Sequence, residues 1–561
     1  MDRNAFLAFA LSFAVLTAWM IYSGPGAKPR GASEPAQAEA QRAPEPAEKP
    51  VESAEAPALP EPPRAEGEVP TPSAQPGVAD SGEVVEIDTP LVRAELDSIG
   101  GVLRHLELKG FRVAPSPDSP PLALTTGRGA FANALASPFR ELGIGDLSRV
   151  DFEVERSEGD RVEFRYASGG ISVRKSYDFD PESYAFELRV AVENHSDRPI
   201  GPRYGLSWPA EVTPGIDFRE QSLATLHDGS VTLQPLADFG RRGFFGGAPT
   251  TERPFAKQVD WAGVTTTYFV SAMLPEEPAE ASAHFVAVEP TRIGVVQLFF
   301  DPVTLPPGQG VERIFRVYVG PKEADRLEAV GGGLVRAINL GWVWLSPLTL
   351  AFGWLLHALH SIIPNFGVGI ILLTIFVRAA TTPLTMRQMK SMERMRALQP
   401  KLNELKEKYP DDRQKQSEEM MALYRREGVN PLGGCLPMVL QLPVFIGLYY
   451  ALQSSIDLRQ APFVGWINDL SAPDQLFMIP GLNLPFRVLP LVMGATMVVQ
   501  QRITPMQADP AQARMMMVVM PVMMTVLFYQ FPSGLVLYWM VSNLLAIGHQ
   551  LWVGRQLRAT A

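Results

Sequence analysis

The hydrophobic and polar positions of this 561-residue chain fall into four regimes. First comes an uncharged run from Ala5 to Tyr22, eighteen residues that span about 27 Å as a helix, close to the hydrocarbon thickness of a bilayer. Arg3 precedes the run and "SGPGAKP" follows it, with no A-x-A-like cleavage site. The run therefore predicts an uncleaved anchor over residues 1–23, with a cleaved signal as the competing reading. Residues 24–84 are rich in Pro, Ala and Glu, with no aromatic side chain through position 80. Such a stretch cannot bury enough apolar surface to offset its ordering entropy, so it predicts a solvated tether.

Between 85 and 328 the period becomes two. In "RVEFRYASGGISVRKSYDF" one face carries Val162, Phe164 and Tyr166, and Ile171 and Val173 follow the Gly169-Gly170 turn. Phe186, Leu188, Val190 and Val192 continue the habit, as do "GVVQLFF" and "RIFRVYVG". Strands of this spacing, with frequent Gly, Pro and Asp turns, predict a large antiparallel all-β sandwich with no stretch able to span a bilayer.

After Gly331-Gly332-Gly333 the chain turns helical and apolar. "LSPLTLAFGWLLHALHSII", broken by Pro347 and closed by Pro364, predicts an interfacial helix within 329–363, although a full span stays open. Candidate spans follow at about 366–385, 432–453, 487–503, 514–530 and 533–552; with the anchor they make six. Between the second and third spans, residues 386–430 predict two antiparallel helices. Met389, Met392, Met395, Leu398, Leu402 and Leu405 form one apolar stripe there. Pro410 with Asp411 and Asp412 supplies the turn, Gly428 the stop, and Pro400 a kink in the first helix.

Charge then orients these elements. Residues 386–430 hold eleven Lys/Arg, Arg502 and Arg514 flank the next loop on that side, and Arg555 and Arg558 lie in the tail 553–561. The loop "SSIDLRQAPFVGWINDLSAPDQ" carries Arg459 as its one basic residue. The positive-inside rule puts both termini and the hairpin in the cytoplasm and the β domain outside. The hairpin, with eleven basic and eight acidic residues, reads either as a solvated pair packed on itself or as a docking arm. The formal charge of −10 argues against a nucleic-acid binder; half of it comes from residues 24–80, with ten acidic and five basic side chains. The single cysteine, Cys435, allows no internal disulfide.

Arg378 is the anomaly. It stands in "IILLTIFVRAATTPLT", and a cation at mid-membrane costs roughly 2.5–3.5 kcal/mol on insertion scales. No Asp or Glu occurs in any of the five later spans, which removes a buried ion pair. Snorkelling to the cytoplasmic headgroups stays open. Polar residues elsewhere in the spans favour a hydrated cavity: Gln441, Gln530, Ser542, Asn543, and Thr374 four residues before the arginine on the same helix face. A cavity with a fixed positive charge and no acid suits an acidic or polar segment leaving the cytoplasm. The methionines Met515, Met516, Met517, Met520, Met523 and Met524 mark either an adaptable substrate surface or ordinary lipid-facing positions.

Several blocks carry a resemblance: "VRAATTPLT", "LQPKLNELKEKYPDDRQKQSEEMMALY", "VNPLGGCLPMVLQLPVFIGLYYAL", "LRQAPFVGWINDLSAPD" and "FPSGLVLYWMVSNL". In this order and spacing the chain resembles the YidC membrane protein insertases of Gram-negative bacteria, nearly without gaps from about 345 to 552. The resemblance implies a polytopic inner-membrane protein with a five-helix core, residues 431–552 supplying four of its spans and 364–385 the fifth. It implies a hydrophilic groove with Arg378, Thr374 and Gln441 at groove positions, and Ser542 and Asn543 join them from the residue reading. Tyr538 and Trp539 match aromatics that face substrate. Implied partners are nascent membrane proteins, Sec translocon components including SecDF and SecYEG, the lipid bilayer, and ribosome and targeting factors at the hairpin. The tail to Ala561 is shorter and less basic than in some members. No enzyme activity, cofactor or metal is implied, and no G-x-x-x-x-G-K-[ST] motif occurs.

Two rival readings have their own signatures. A secondary transporter predicts inverted repeats, and "VRAATTPLT" has no second copy. A sugar enzyme would use the β-domain histidines His105, His195, His227 and His284, which lack ligand spacing; His357 and His360 in "HALH" could bind a metal at i, i+3.

Overall fold

In a computed structural model, residues 82–560 are described except 117, 126–132, 157–159, 212–220, 242–247, 291, 410–411, 429–435, 482–483 and 504–509. The expected anchor and nearly all of the tether lie outside the described residues. Two compact units result, the first from the β region and the second mainly from residues 335–561.

In the first unit the period-two segments pair as antiparallel strands. A nine-stranded sheet runs in space from Ser230–Pro235 through Ser222–His227, Val259–Thr265, Phe269–Pro275 and Gly310–Pro321. It continues through Ala185–Asn194, Ile171–Phe179 and Arg161–Ser168 to Glu153–Arg156. Four-stranded sheets accompany it, one from Glu252–Phe255, Ser282–Glu289, Ile293–Phe299 and Gly205–Glu211, the other from the strands between Val84 and Thr125. The alternation read from sequence is the burial pattern: Phe164, Val173, Leu188, Val190 and Val192 are essentially inaccessible. Gly169 and Gly170, with φ of 59° and 75°, form the two-residue hairpin that pairs Ser168 with Ile171.

One position breaks the apolar pattern. Lys175 lies on the inward row with Ile171, Val173 and Tyr177 and is 1% exposed. Its Nζ donates to the carbonyls of Leu135 at 2.8 Å and Gly100 at 3.2 Å, while the Tyr177 hydroxyl donates to Gly101 O at 2.7 Å. Gly100 and Gly101 have φ of 81° and 52°, and a Cβ on Gly101 would press on the Phe164 side chain. Burial pushes the Lys175 ammonium down to about 7.

The helical part begins with α1 (Ala324–Val330) and the glycine triplet, whose φ angles of 84°, 58° and 67° are all left-handed. α2 (Ser346–Ile362) buries Thr349, Phe352 and Leu356 along one face and exposes Trp354 and Ile362 on the other. Trp342, Val343 and Trp344 before it are also exposed. Then come α3 (Phe366–Ala397), α4 (Gln399–Lys408), α5 (Arg413–Arg426), α6 (Leu436–Ser454), α7 (Val488–Ile503), α8 (Pro510–Phe528) and α9 (Ser533–Thr560). Among the described residues, Phe366–Met386 and Ser533–Val553 are long and apolar enough to cross a membrane. α7 has 16 residues, about 24 Å, which by itself falls short of the usual span.

The hairpin differs in one respect from its sequence reading. Its first arm is the end of α3 continued by α4, and the break falls at Leu398, with Pro400 in the first turn of α4. Proline is favoured there because its missing N–H would have no helical partner. Leu398, Leu402 and Leu423 are buried, Tyr424 packs against Leu398, and Lys401 pairs with Glu427 at 2.7 Å. Asp412 caps α5 by accepting from Lys415 N, and Gly428 ends it with φ of 65°.

Candidate functional site

α3 starts where Asn365 caps it, its Oδ1 accepting from Val368 N at 3.0 Å just after Pro364. Three turns on, Arg378 reaches across to α9. Its Nε and Nη2 both donate to the Ser542 hydroxyl, at 2.9 and 2.5 Å. No described carboxylate pairs with it, and no described side chain takes its remaining N–H groups. A neutral acceptor therefore orients the guanidinium and leaves its charge uncompensated. Thr382, one turn further along α3, folds its hydroxyl back onto Arg378 O at 2.7 Å.

Tyr538 lies one turn before Ser542 on the same face of α9 and is buried. Its hydroxyl accepts from Gln441 Nε2 of α6 at 3.1 Å. Arg378, Ser542, Tyr538 and Gln441 thus form a polar strip that crosses α3, α9 and α6 inside otherwise apolar helices.

The remaining sequence-derived residues are distributed differently. Thr374 shares the Arg378 face but is fully buried, and its hydroxyl donates to Ile370 O of its own helix at 2.6 Å. Asn543 sits about 100° around α9 from Ser542 and donates to Thr496 Oγ1 of α7 at 3.2 Å, away from the arginine. Tyr538 and Trp539 part for the same reason. Trp539 packs edge-on to Phe445 at 5.0 Å and against Phe528 at 5.1 Å, an aromatic cluster shared by α6, α8 and α9. The partnership of Tyr538 with Gln441 was not visible in sequence, since the two lie 97 residues apart.

α8 presents an open stripe: Val518, Val522 and Val526, four residues apart, are 58, 59 and 69% exposed, with Val519 and Met523 beside them. Met524 faces inward and is 4% exposed. The side chains of Met515 and Met516 lie outside the described residues. The exposed face is thus largely valine. In α2, His357 Nε2 lies in hydrogen-bond contact with Asp457 Oδ2 at 2.7 Å and His360 stacks on Phe366, so the two rings have separate partners. Among the described residues no cluster of three His, Cys, Asp or Glu side chains could hold a metal.

Known proteins agree on the affiliation. Residues 84–351 match the family described as the YidC periplasmic domain, and residues 358–560 match the 60Kd inner membrane protein family. The membrane protein insertase YidC of Syntrophus aciditrophicus is 34% identical, over 99% of this chain and 100% of its own. That of Oleidesulfovibrio alaskensis is 35% identical over 99% of both. A crystal structure of an active YidC insertase, 19% identical, aligns over 84% of this chain and 94% of its own with a TM-score of 0.35. Solved galactose mutarotase-like proteins align with less than half of the chain at TM-scores near 0.3. With full-length relatives at this identity and family matches over both units, the chain belongs to the YidC family of membrane protein insertases.

Proposed function

We propose that this inner-membrane protein inserts nascent membrane proteins by offering their hydrophilic flank a polar halfway position at Arg378. In this reading the anchor, α3, α6, α7, α8 and α9 are the six spans, both termini and the α4–α5 hairpin are cytoplasmic, and α2 lies in the periplasmic headgroup region. A translocating acidic or polar flank exchanges part of its hydration for the Arg378 guanidinium, with Ser542, Tyr538 and Gln441 beside it. Its apolar segment moves into lipid along the exposed valines of α8, gaining roughly 0.8 kcal/mol per buried CH₂. Asn543 acts from the interior, tying α9 to α7, while Thr374 stays buried on the Arg378 face with its hydroxyl turned back onto its own helix. The hairpin docks ribosomes or targeting factors, and the Sec translocon, including SecDF and SecYEG, hands over part of the substrate flow.

One observation carries this reading: a guanidinium held inside apolar helices by a hydroxyl, with its charge unpaired among the described residues. In proteoliposomes, Arg378→Ala should cut insertion of a single-span substrate with an acidic outer flank at least about tenfold, the equivalent of ~1.4 kcal/mol. Arg378→Lys should retain part of it, because the charge persists while the two-pronged contact with Ser542 is lost. The same substrate with a short neutral flank should be far less affected. Equal insertion of both substrates by the alanine variant would refute the groove role.

A further inference from the structure

α3, α7 and α9 all begin at the same end of the helical unit, and one loop ties their N-termini together. Asp474 in that loop is 3% exposed. Its Oδ2 accepts from the first amides of α7, Val488 N at 2.9 Å and Leu489 N at 3.0 Å, and from Trp466 Nε1 at 3.1 Å. The same loop caps α9 with its backbone. Ser533 N donates to Ala472 O at 2.8 Å and Gly534 N to Leu470 O at 2.9 Å, while the Ser533 hydroxyl donates to Asp469 O at 2.7 Å. It also lies over the start of α3: Asn365 Nδ2 donates to Phe463 O at 3.3 Å, and a Cβ on Gly367 would collide with the Phe463 ring. Ile467 and Leu470 of this loop are buried, and Leu470 lies against Gly534 at the start of α9.

Capping a single helix needs one short side chain. Here a carboxylate serves α7, main-chain carbonyls serve α9 and an aromatic ring closes on α3, all within about a dozen residues of one loop. Asp474 is the sole charged group among these contacts, and it faces the positive end of α7, where a carboxylate is favoured. Two of its donors belong to α7 and the third, Trp466, to the loop itself, so the carboxylate closes the segment 466–474 on itself and holds it to the start of α7. Loss of the carboxylate frees two backbone amides and an indole N–H at once, so the segment loses its hold on α7 while its ties to α9 remain.

We propose that Asp474 is a positioning residue for insertion: it pins this loop as a seal over the three helix N-termini, so that the polar strip is shut off from the periplasmic side. The proposal rests on the groove and topology given above. Without the seal, water and small solutes reach Arg378 from the periplasm, and the arginine no longer discriminates the side from which a polar flank arrives.

The test uses the full-length protein with Cys435→Ser and a reporter, Thr382→Cys, one turn from Arg378. A membrane-impermeant maleimide is applied to intact spheroplasts or to inverted vesicles. With Asp474 present, the reporter should react from the cytoplasmic face and resist the periplasmic one. Asp474→Ala should raise the periplasmic labelling rate roughly tenfold, the effect of losing a charge-assisted hydrogen bond from an opening equilibrium, and leave the cytoplasmic rate unchanged. Asp474→Asn, which keeps an acceptor for the two amides, should give a smaller rise and serves as the readout where the alanine variant does not accumulate. An unchanged periplasmic rate in the variant that accumulates overturns the seal. A reporter unreactive from the cytoplasmic face in every variant overturns the groove reading instead.

Discussion

Lys175 and Arg378 are two interior cations with no carboxylate partner among the described residues, one held by two backbone carbonyls in a β-sheet core and the other by a serine hydroxyl between helices. For Lys175 the consequence is a pH dependence of stability. Its folded pKa lies near 7, below the unfolded value of 10.5, so between these limits the unfolded chain binds more protons and stability rises with pH. The burial penalty is fully present below pH ~7 and fades toward ~10, about 5 kcal/mol in all at ~1.36 kcal/mol per pH unit. Denaturant unfolding of the β domain within the intact protein should show this slope, and Lys175→Met should abolish it. Equal slopes for the two proteins would show that the amine is not the titrating group. Arg378 was legible in sequence because a charge inside an apolar run stands out. Lys175 stands in register with Ile171, Val173 and Tyr177, so its inward position is written in the same alternation, but a strand interrupted by one lysine reads as an ordinary amphipathic edge. Asp474 gave no signal at all, since a loop carboxylate becomes informative once the amides it meets are known.

Single helices divide their work by face. The 100° step that separates Ser542 from Asn543 sends one to Arg378 and the other to Thr496, and the same step separates Tyr538 from Trp539. Sequence reasoning grouped each pair because adjacency along the chain was visible and rotation about the axis was not. α8 makes the point in apolar residues. Its methionines drew attention in the sequence, yet Met524 is interior while Val518, Val522 and Val526 form the open stripe. A photoreactive amino acid at Val522 should crosslink to a stalled nascent segment, whereas one at Met524 should crosslink to neighbouring helices of the same chain. Strong substrate crosslinking from position 524 and none from 522 would reverse the assignment of faces. Pro400 teaches a related lesson: proline predicted a kink, and the chain instead used it to start a new helix, where its missing amide costs nothing.

At the scale of the molecule, the switch from period two to apolar helices near the glycine triplet marked two kinds of structure before any coordinates, and strand-to-strand order was what remained hidden. Neighbouring strands such as Arg161–Ser168 and Ile171–Phe179 pair through a turn that the sequence announces. The contact of Gly310–Pro321 with Ala185–Asn194 joins segments more than 100 residues apart and leaves no local trace. In the proposed reading insertion runs on partitioning and on the membrane potential, the latter worth about 2.3 kcal/mol per charge per 100 mV. Purified protein in liposomes should therefore insert substrate without added nucleotide, and an imposed potential should change the yield with the charge of the translocated flank. A strict nucleotide requirement of the purified system would contradict this. The hydroxyl of Ser542 bears on speed as well. If Arg378 receives an acidic flank as proposed, its neutral Ser542 partner means that the visiting carboxylate arrives and departs without a described internal ion pair having to break. Under that proposal its dwell time would be governed by how fast water reclaims it, so that the hydroxyl of α9 would set rapid exchange in place of tight capture.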